Sequence, residues 1–347
     1  MSKVYLNKDE TFVVASSATI FGSNGNESII LLDNVYNVVI NSSIDNVALP
    51  LDIQEYEFKQ YGIAIIIAHN GNEVVTIQSP IQTVLFNSVE QKIKYNAGSM
   101  SIGSIELIKN EWVNTTKTRV DLRQYTDGVA NQSYVNACSS FSVITMIEIF
   151  LNKKLDKDYR FSQLFTYWGA RTLDKYNEPI IDSGSTVGGN IWSVLKHGLC
   201  DLKDYPYIEG KVNDIPPTKI LNSTKKVSMK YVYVNGTREI RSEKIREGLG
   251  KGYAVVFGLK ITSDFYLLGD INKLEDMHYV GSLDGTDSVG NHAMCIVGYD
   301  DNLNGGSFIV ENSWGNTWGD KGFFACPYDV VDNDAHSVYS ITRLELV

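Results

Sequence analysis

Basic residues are in short supply: 31 Lys and Arg stand against 41 Asp and Glu, a formal charge of −10, and no basic cluster interrupts the balance. That excludes nucleic acid or an anionic membrane as the main partner and leaves small or peptide partners open. Four cysteines in 347 residues cannot make a disulfide framework, so the chain neither needs nor advertises an oxidising compartment. Long apolar runs are missing as well. The longest, Ile63–Ala68, is six residues, against the roughly 20 needed to cross a bilayer, so no membrane insertion is expected. The opening residues Met1–Glu10 are polar and no apolar h-region follows. No classical signal peptide is therefore expected, which points to the cytoplasm or a leaderless export route.

What is present is ordinary globular material, 43% hydrophobic and 21% charged, in a length that exceeds what one core usually supports. Composition breaks near residue 117. Upstream there is no Cys, no Arg and one Trp (Trp112); downstream lie all four Cys and all eight Arg, from Arg119 to Arg343. The polar stretch Asn114–Lys117 is the expected boundary between an accessory domain (1–116) and a second domain (117–347).

Upstream, short β-branched runs (Thr11–Val14, Ile29–Leu32, Val38–Ile40, Ile63–Ala68, Val74–Ile77) alternate with Gly-Asn and Asn-Ser turns, the pattern of an all-β domain. An internal echo sets Gly25-Asn26-Glu27 and Asn41-Ser42 against Gly71-Asn72-Glu73 and Asn87-Ser88, at a constant offset of 46 residues (71 − 25 and 87 − 41). Either an internal repeat or the common chemistry of β-turns explains it. The stretch Ala18–Leu107, with Ile20–Glu27, Tyr56–Gln60 and Ala97–Gly103, resembles a β-rich module of bacterial surface and repeats-in-toxin proteins. The resemblance implies a bacterial or phage-like setting, with an extracellular one left open, and no chemistry.

Downstream, the positions from Cys138 to Leu151 are mostly apolar, with Thr145 and Glu148 sharing one face at i, i+3, so a helix buried on most sides is expected. Cys138 opens it. There a thiol feels the helix dipole and the unpaired amides of the first turn, both favouring the nucleophilic thiolate, and Asn136 is the expected N-cap. A lone cysteine at a helix end is more often structural, so a base is required. Of the five histidines, His69 and His197 sit in strand and helix patterns as structural residues, and His278 and His336 in polar surroundings. His292 differs: it opens the strand Asn291–Tyr299, and 20 residues later (312 − 292) comes Asn312, on a second strand that adjacency would bring alongside.

Residues 119–347 resemble the papain-like cysteine peptidases. Val120-Asp121-Leu122-Arg123 is similar to their mature start, Gln132 precedes Cys138 by six residues, and the order Gln, Cys, His, Asn is theirs. So is the string Asn312-Ser313-Trp314-Gly315 … Trp318-Gly319 … Gly322-Phe323, with Asn291-His292-Ala293 followed by Val297-Gly298-Tyr299. The resemblance implies an α+β, two-lobe papain-like fold, with a helical lobe around Cys138 and a β-barrel-like lobe carrying His292 and Asn312. It implies peptide-bond hydrolysis through a thioester, with a peptide or protein substrate and neither metal nor organic cofactor. Cys138 would be the nucleophile, His292 its imidazolium partner, Asn312 the group that orients the ring, Trp314 the cover over that hydrogen bond, and Gln132 with the Cys138 N–H the oxyanion hole.

The sequence departs from the family pattern at Val135, where a disulfide cysteine is usual, and at Asn136-Ala137 and Ser139 around the nucleophile, where Gly-Ser and Trp are usual. Ser139 removes an aromatic beneath the site. Cys200, Cys295 and Cys326 read as small buried residues. Asp182–Ser185 resembles the non-primed cleft wall, which makes Ser183 and Gly184, with Asn291 and Trp314, the expected substrate contacts. Two other classes stay open: deamidation or acyl transfer on side-chain amides with the same residues, and a non-catalytic binding protein. Residues 1–116 offer no helical prosegment pattern, so they are expected to be a targeting or binding domain for a surface or assembly partner, or alternatively a β-type propeptide.

Overall fold

The computed structural model describes residues 2–347 apart from 43, 79–80, 82, 97, 115–117, 175–180, 235–240 and 283–286. Of the segments singled out above, Ala97 and the last three residues of Asn114–Lys117 lie outside the described residues. The chain divides into two compact units, Met1–Lys117 and Thr118–Val347.

In the first unit β1 (Ser2–Tyr5), β2 (Thr11–Val14), β3 (Ala18–Phe21), β4 (Ser28–Leu31), β5 (Val38–Ser42) and β6 (Asn46–Leu49) alternate between two sheets. Strands β1, β3 and β5 are parallel neighbours in one sheet, and β2, β4 and β6 in the other. A hairpin of β7 (Glu57–Tyr61) and β8 (Ala64–His69) interrupts this coil, which resumes as β9 (Asn72–Ile77) beside β5 and β10 (Thr83–Phe86) beside β6. Then β11 (Val89–Asn96), β12 (Ser99–Ile102) and β13 (Ile105–Leu107) add an antiparallel run to the second sheet, and β14 (Trp112–Asn114) pairs with β7.

Parallel stacking sets like against like. Ile29, Val47 and Val84 stand abreast in one sheet and Ile20, Ile40 and Ile77 in the other, all at most 1% exposed. Such apolar ladders between two sheets are what bury enough surface to hold so short a set of strands. The repeat this creates is not the echo at 46 residues. Glu27 precedes β4 of the second sheet whereas Glu73 lies in β9 of the first, while the true neighbours are Thr11 with Ser28 and Ser28 with Asn46, 17 and 18 residues apart (28 − 11 and 46 − 28). The echo therefore reflects shared turn chemistry.

The second unit joins helices to an antiparallel sheet. Its helices are α1 (Cys138–Leu155), α2 (Gln163–Asp174), α3 (Val187–His197), α4 (Thr218–Asn222), α5 (Arg241–Gly250), α6 (Asp264–Leu267) and α7 (Tyr328–Asp334). Its strands are β15 (Arg119–Asp121), β16 (Val227–Tyr233), β17 (Val255–Thr262), β18 (Ser288–Asp300), β19 (Ser307–Glu311), β20 (Phe323–Pro327) and β21 (His336–Leu346). They lie in the order β16-β21-β17-β18-β19-β20, with β15 paired to β18. Helix α1 is buried on most sides, with Val143, Ile144, Met146, Ile147, Ile149 and Leu151 at most 1% exposed, and it runs one turn past Leu151 to a left-handed Asp156 at φ 49°. Because α1 packs against β18, the start of the helix, with Cys138, comes beside the strand that carries His292.

Candidate active site

The first turn of α1 presents Cys138, partly exposed. The residue that caps it is Ala137, with φ −102° and ψ 10° and no side-chain cap bond, not the expected Asn136. Asn136 is spent elsewhere: its backbone N–H donates to Asp182 Oδ1 at 3.0 Å and its Nδ2 to the same carboxylate at 3.3 Å. First-turn amides of α1 are thus left for the thiol and whatever binds it. The expected lowering of the thiol pKa does not follow from these amides alone. Burial pushes the Cys138 thiol up, and hydrogen bonding from the backbone of Ala293, Ser139 and Cys138 itself recovers only part of it. A sequence reading sees the dipole but not the apolar wall that outweighs it.

Strands β18 and β19 pair antiparallel, Cys295 opposite Glu311, which carries His292 and Asn312 to one end of the ladder. There Nε2 of His292 and Oδ1 of Asn312 lie 2.7 Å apart. The same Oδ1 accepts the Ser313 N–H at 2.8 Å, so the amide is held with its oxygen toward the ring and Nε2 is the donor. His292 is 5% exposed, and burial draws its pKa down to about 4 against the opposing hydrogen bond from Asn312. Trp314 lies against the imidazole with ring centres 5.0 Å apart, and it is itself edge-on to Phe265 and Trp318.

Gln132 is buried beside them. Its Nε2 donates to Val135 O at 2.8 Å, its Oε1 accepts from the Ser313 hydroxyl, and its carbonyl accepts from Tyr207 at 2.8 Å. Two anchors thus fix the side-chain amide and the third holds the backbone carbonyl behind it, and the second Nε2 hydrogen is uncommitted to any of them.

Cys138, His292 and Gln132 line one cleft of about 540 Å³, and so do all four expected substrate contacts, Ser183, Gly184, Asn291 and Trp314. Asn312 lies behind the ring. Gly184 has φ +80° and its N–H already donates to the Tyr167 hydroxyl at 3.0 Å, so a substrate chain would meet its carbonyl more readily than its amide. Asn291 is exposed on β18, opposite Lys260.

Sequence reasoning missed the supports of that wall. Tyr167 donates to Asp182 Oδ1 at 2.6 Å, and Arg171, stacked on Tyr167 at 3.9 Å, donates to Ile181 O at 2.7 Å and to Asn213. Ser139, in place of the usual aromatic, is buried in a polar cluster: its hydroxyl lies 2.9 Å from the Ser185 hydroxyl and accepts from Asn190 Nδ2 at 3.0 Å. The substitution is thus compensated by hydrogen bonds that tie α1 to the start of α3. Ser185, two positions before α3 and five before Asn190 in the chain, gives no sequence signal of this.

Behind Asn312, Glu311 and Glu148 are both buried, and burial raises each to about 8. Glu148 accepts the Phe161 N–H at 2.7 Å and has the Arg160 guanidinium at 3.6 Å, whereas Glu311 accepts, among the described residues, only the Thr145 hydroxyl at 2.9 Å. The amide and the guanidinium oppose the rise at Glu148 and the Thr145 hydroxyl opposes it at Glu311, but burial outweighs them at both, so each carboxyl keeps its proton at neutral pH.

Helices packed on an antiparallel sheet with Cys138 and His292 on one cleft are the papain-like fold. Residues 116–338 match the model of the papain family cysteine proteases. The chain belongs to that family. An uncharacterized peptidase C1-like protein of Acanthamoeba polyphaga mimivirus is 33% identical over 178 residues, covering 50% of this chain and 55% of that protein. Cathepsin K of Mus musculus is 27% identical over 228 residues, covering 65% and 64%. The match thus spans less than two thirds of either relative. Among solved structures, xylellain, a cysteine protease of Xylella fastidiosa, shares the fold at TM-score 0.51 and 24% identity, over 65% of this chain and 86% of that one. The cysteine protease and lectin-like domains of a surface layer associated protein of Clostridium difficile do so at TM-score 0.53 and 21% identity, over 67% and 52%.

Proposed function

We propose that the protein is a cysteine peptidase that cleaves peptide bonds through a thioester. The observation that carries this reading is the buried His292–Asn312 hydrogen bond at 2.7 Å, with its imidazole on the same cleft as Cys138 and Gln132. Sγ of Cys138 attacks the scissile carbonyl carbon. The oxyanion that forms takes hydrogen bonds from the Gln132 amide and the Cys138 N–H. His292 gives its proton to the departing amine, the C–N bond breaks, and a thioester remains. Water, losing a proton to His292, then attacks the thioester carbon, releasing the acid and restoring the thiol. Asn312 keeps the ring from turning away.

Isolated by burial, thiol and imidazole both favour their neutral forms, so the thiolate–imidazolium pair depends on the mutual attraction of the two charges in a water-poor cleft. The coiled β unit, with no α-helix among its described residues to lie in a cleft as a prosegment would, serves as a targeting or binding domain. The test is hydrolysis of a peptide library by the full-length chain and by Cys138→Ala, with cut sites and ammonia both measured. Backbone cuts that vanish in the variant are expected; ammonia without cuts would replace this reading with deamidation. Conversion of the wild type, but not the variant, to a fragment of about 26 kDa (roughly 230 residues of about 110 Da each) with rising activity would make residues 1–116 a propeptide instead.

A further inference from the structure

One wall of the cleft is apolar, aromatic and open to solvent. Tyr266, on α6, is 54% exposed, and its ring lies parallel to that of Trp314, 9° between planes and 5.4 Å between centres. Both line the cleft. Beside them Ile261 of β17 pairs with Gly290 of β18, and a Cβ built on Gly290 meets nothing within 4 Å, so the space above that pair is clear. Val289, next to it, is 53% exposed. Arg171 is the sole formal cation lining the cleft besides the imidazole among the described residues, and it is already bonded to Ile181 O, Val212 O and Asn213 on the opposite wall.

The direction of the reaction says which part of a substrate meets this shelf. His292 hands its proton to the departing amine, so the half of the peptide that begins with that amine passes on the imidazole side. Trp314 touches the imidazole and Tyr266 touches Trp314. Gly184, the backbone expected to pair with the acyl half, is on the other wall. The first side chain past the scissile bond therefore lands where an exposed tyrosine face, already braced from behind by a tryptophan, waits beside a glycine gap with no charge to satisfy.

We infer that Tyr266, stacked on Trp314, is a specificity-determining residue that selects a large apolar, best of all aromatic, side chain at the first position of the leaving half. The inference rests on the peptidase reading and extends it to a substrate class. Ring stacking and apolar burial favour such a side chain, whereas a charged one loses solvation with no partner to replace it.

The experiment uses the full chain and a set of internally quenched peptides identical but for Phe, Leu, Ala, Asp or Lys after the cut, with the cut site verified by mass. Wild type should turn over the Phe peptide with kcat/KM about tenfold above Ala and Asp, a ratio of the size a single apolar contact gives. Tyr266→Phe should keep that order, Tyr266→Ala should flatten it, and Tyr266→Glu should turn it toward Lys. This last is a gain that misfolding cannot imitate. A second set varied on the acyl side should keep its order in all three variants. Wild type without preference after the cut, or Tyr266→Ala and Tyr266→Glu retaining the wild-type order, overturns the inference while leaving the peptidase intact. Failure of wild type to cut any peptide overturns both.

Discussion

The two units solve the problem of burial in opposite ways. The coiled β unit fills its interior with ladders of Ile and Val, and among its described residues Glu27 is the one fully buried carboxylate. The second unit buries Gln132, Glu148, Arg171, His292, Glu311 and Asn312. Each of these costs free energy unless partnered, and several line or brace the cleft. Polar burial is thus concentrated where the proposed acyl-transfer site needs fixed dipoles, and it is sparse where the unit only has to hold its shape. The comparison teaches that the second unit gives up stability for a site, and the first does not.

The sharpest way to break this contrast is to remove the proposed nucleophile. Cys138→Ala and His292→Ala should each abolish peptide cleavage, by roughly 10⁴-fold or more, and Cys138→Ala should leave the circular dichroism unchanged, since little volume is lost. Retained activity with a matched spectrum would remove Cys138 from the mechanism. Asn312→Ala should leave a measurable remnant because the side chain orients rather than reacts.

Gln132→Ala should lower kcat by about 10² with little change in KM, because the donor acts on the transition-state oxyanion. A change confined to KM would make Gln132 a substrate ligand. The pair itself is read by iodoacetamide labelling against pH. In wild type Cys138 should react well below pH 7 through its imidazolium partner. In His292→Ala, burial alone should hold the thiol above its ordinary range and move labelling to alkaline pH. Equal midpoints in the two proteins would mean that no ion pair forms.

Smaller effects test the price of polar burial. Glu311 and Glu148 have folded pKa values of about 8, above the ordinary carboxylate value near 4.5. Their cost is absent below the unfolded value, grows as the pH rises through the window from 4.5 to 8, and then levels off. Glu311→Gln keeps the shape without the titration, so its melting temperature should fall less than that of wild type between these limits, and parallel curves would contradict the buried proton. In the other unit, Glu27 Oε1 accepts the Gly25 N–H at 2.9 Å, the Asp9 N–H at 3.3 Å and the Ser23 hydroxyl. Glu27→Ala should therefore destabilise that unit through stranded donors, seen as an earlier melting step with peptidase rates unaltered. A loss of activity would show that the two units are coupled.

Much of the site was legible because it is written in order and spacing. Gln132, Cys138, His292 and Asn312 stand out together, and the pattern around Asn312-Ser313-Trp314 is dense enough to name the fold. The supports were not legible: Asp182 beneath Asn136, the Ser139–Ser185–Asn190 cluster and Tyr266 on Trp314 join residues 46 or more positions apart, with nothing local to mark them. In the upstream unit, alternating apolar runs announced strands, while parallel pairing at 17 and 18 residues stayed hidden behind a misleading echo of turn residues.

The sequence by itself determined the chemical cast and the two compositions that divide the chain, because side-chain chemistry and apolar period are local properties. Tertiary structure alone decided that burial opposes ionisation of the Cys138 thiol, so that a thiolate needs the imidazolium beside it, that Ala137 and not Asn136 caps the helix, and that burial raises the carboxyls of both Glu311 and Glu148. Each of these depends on which groups from distant parts of the chain exclude water from one another, and desolvation has no signature in the order of residues.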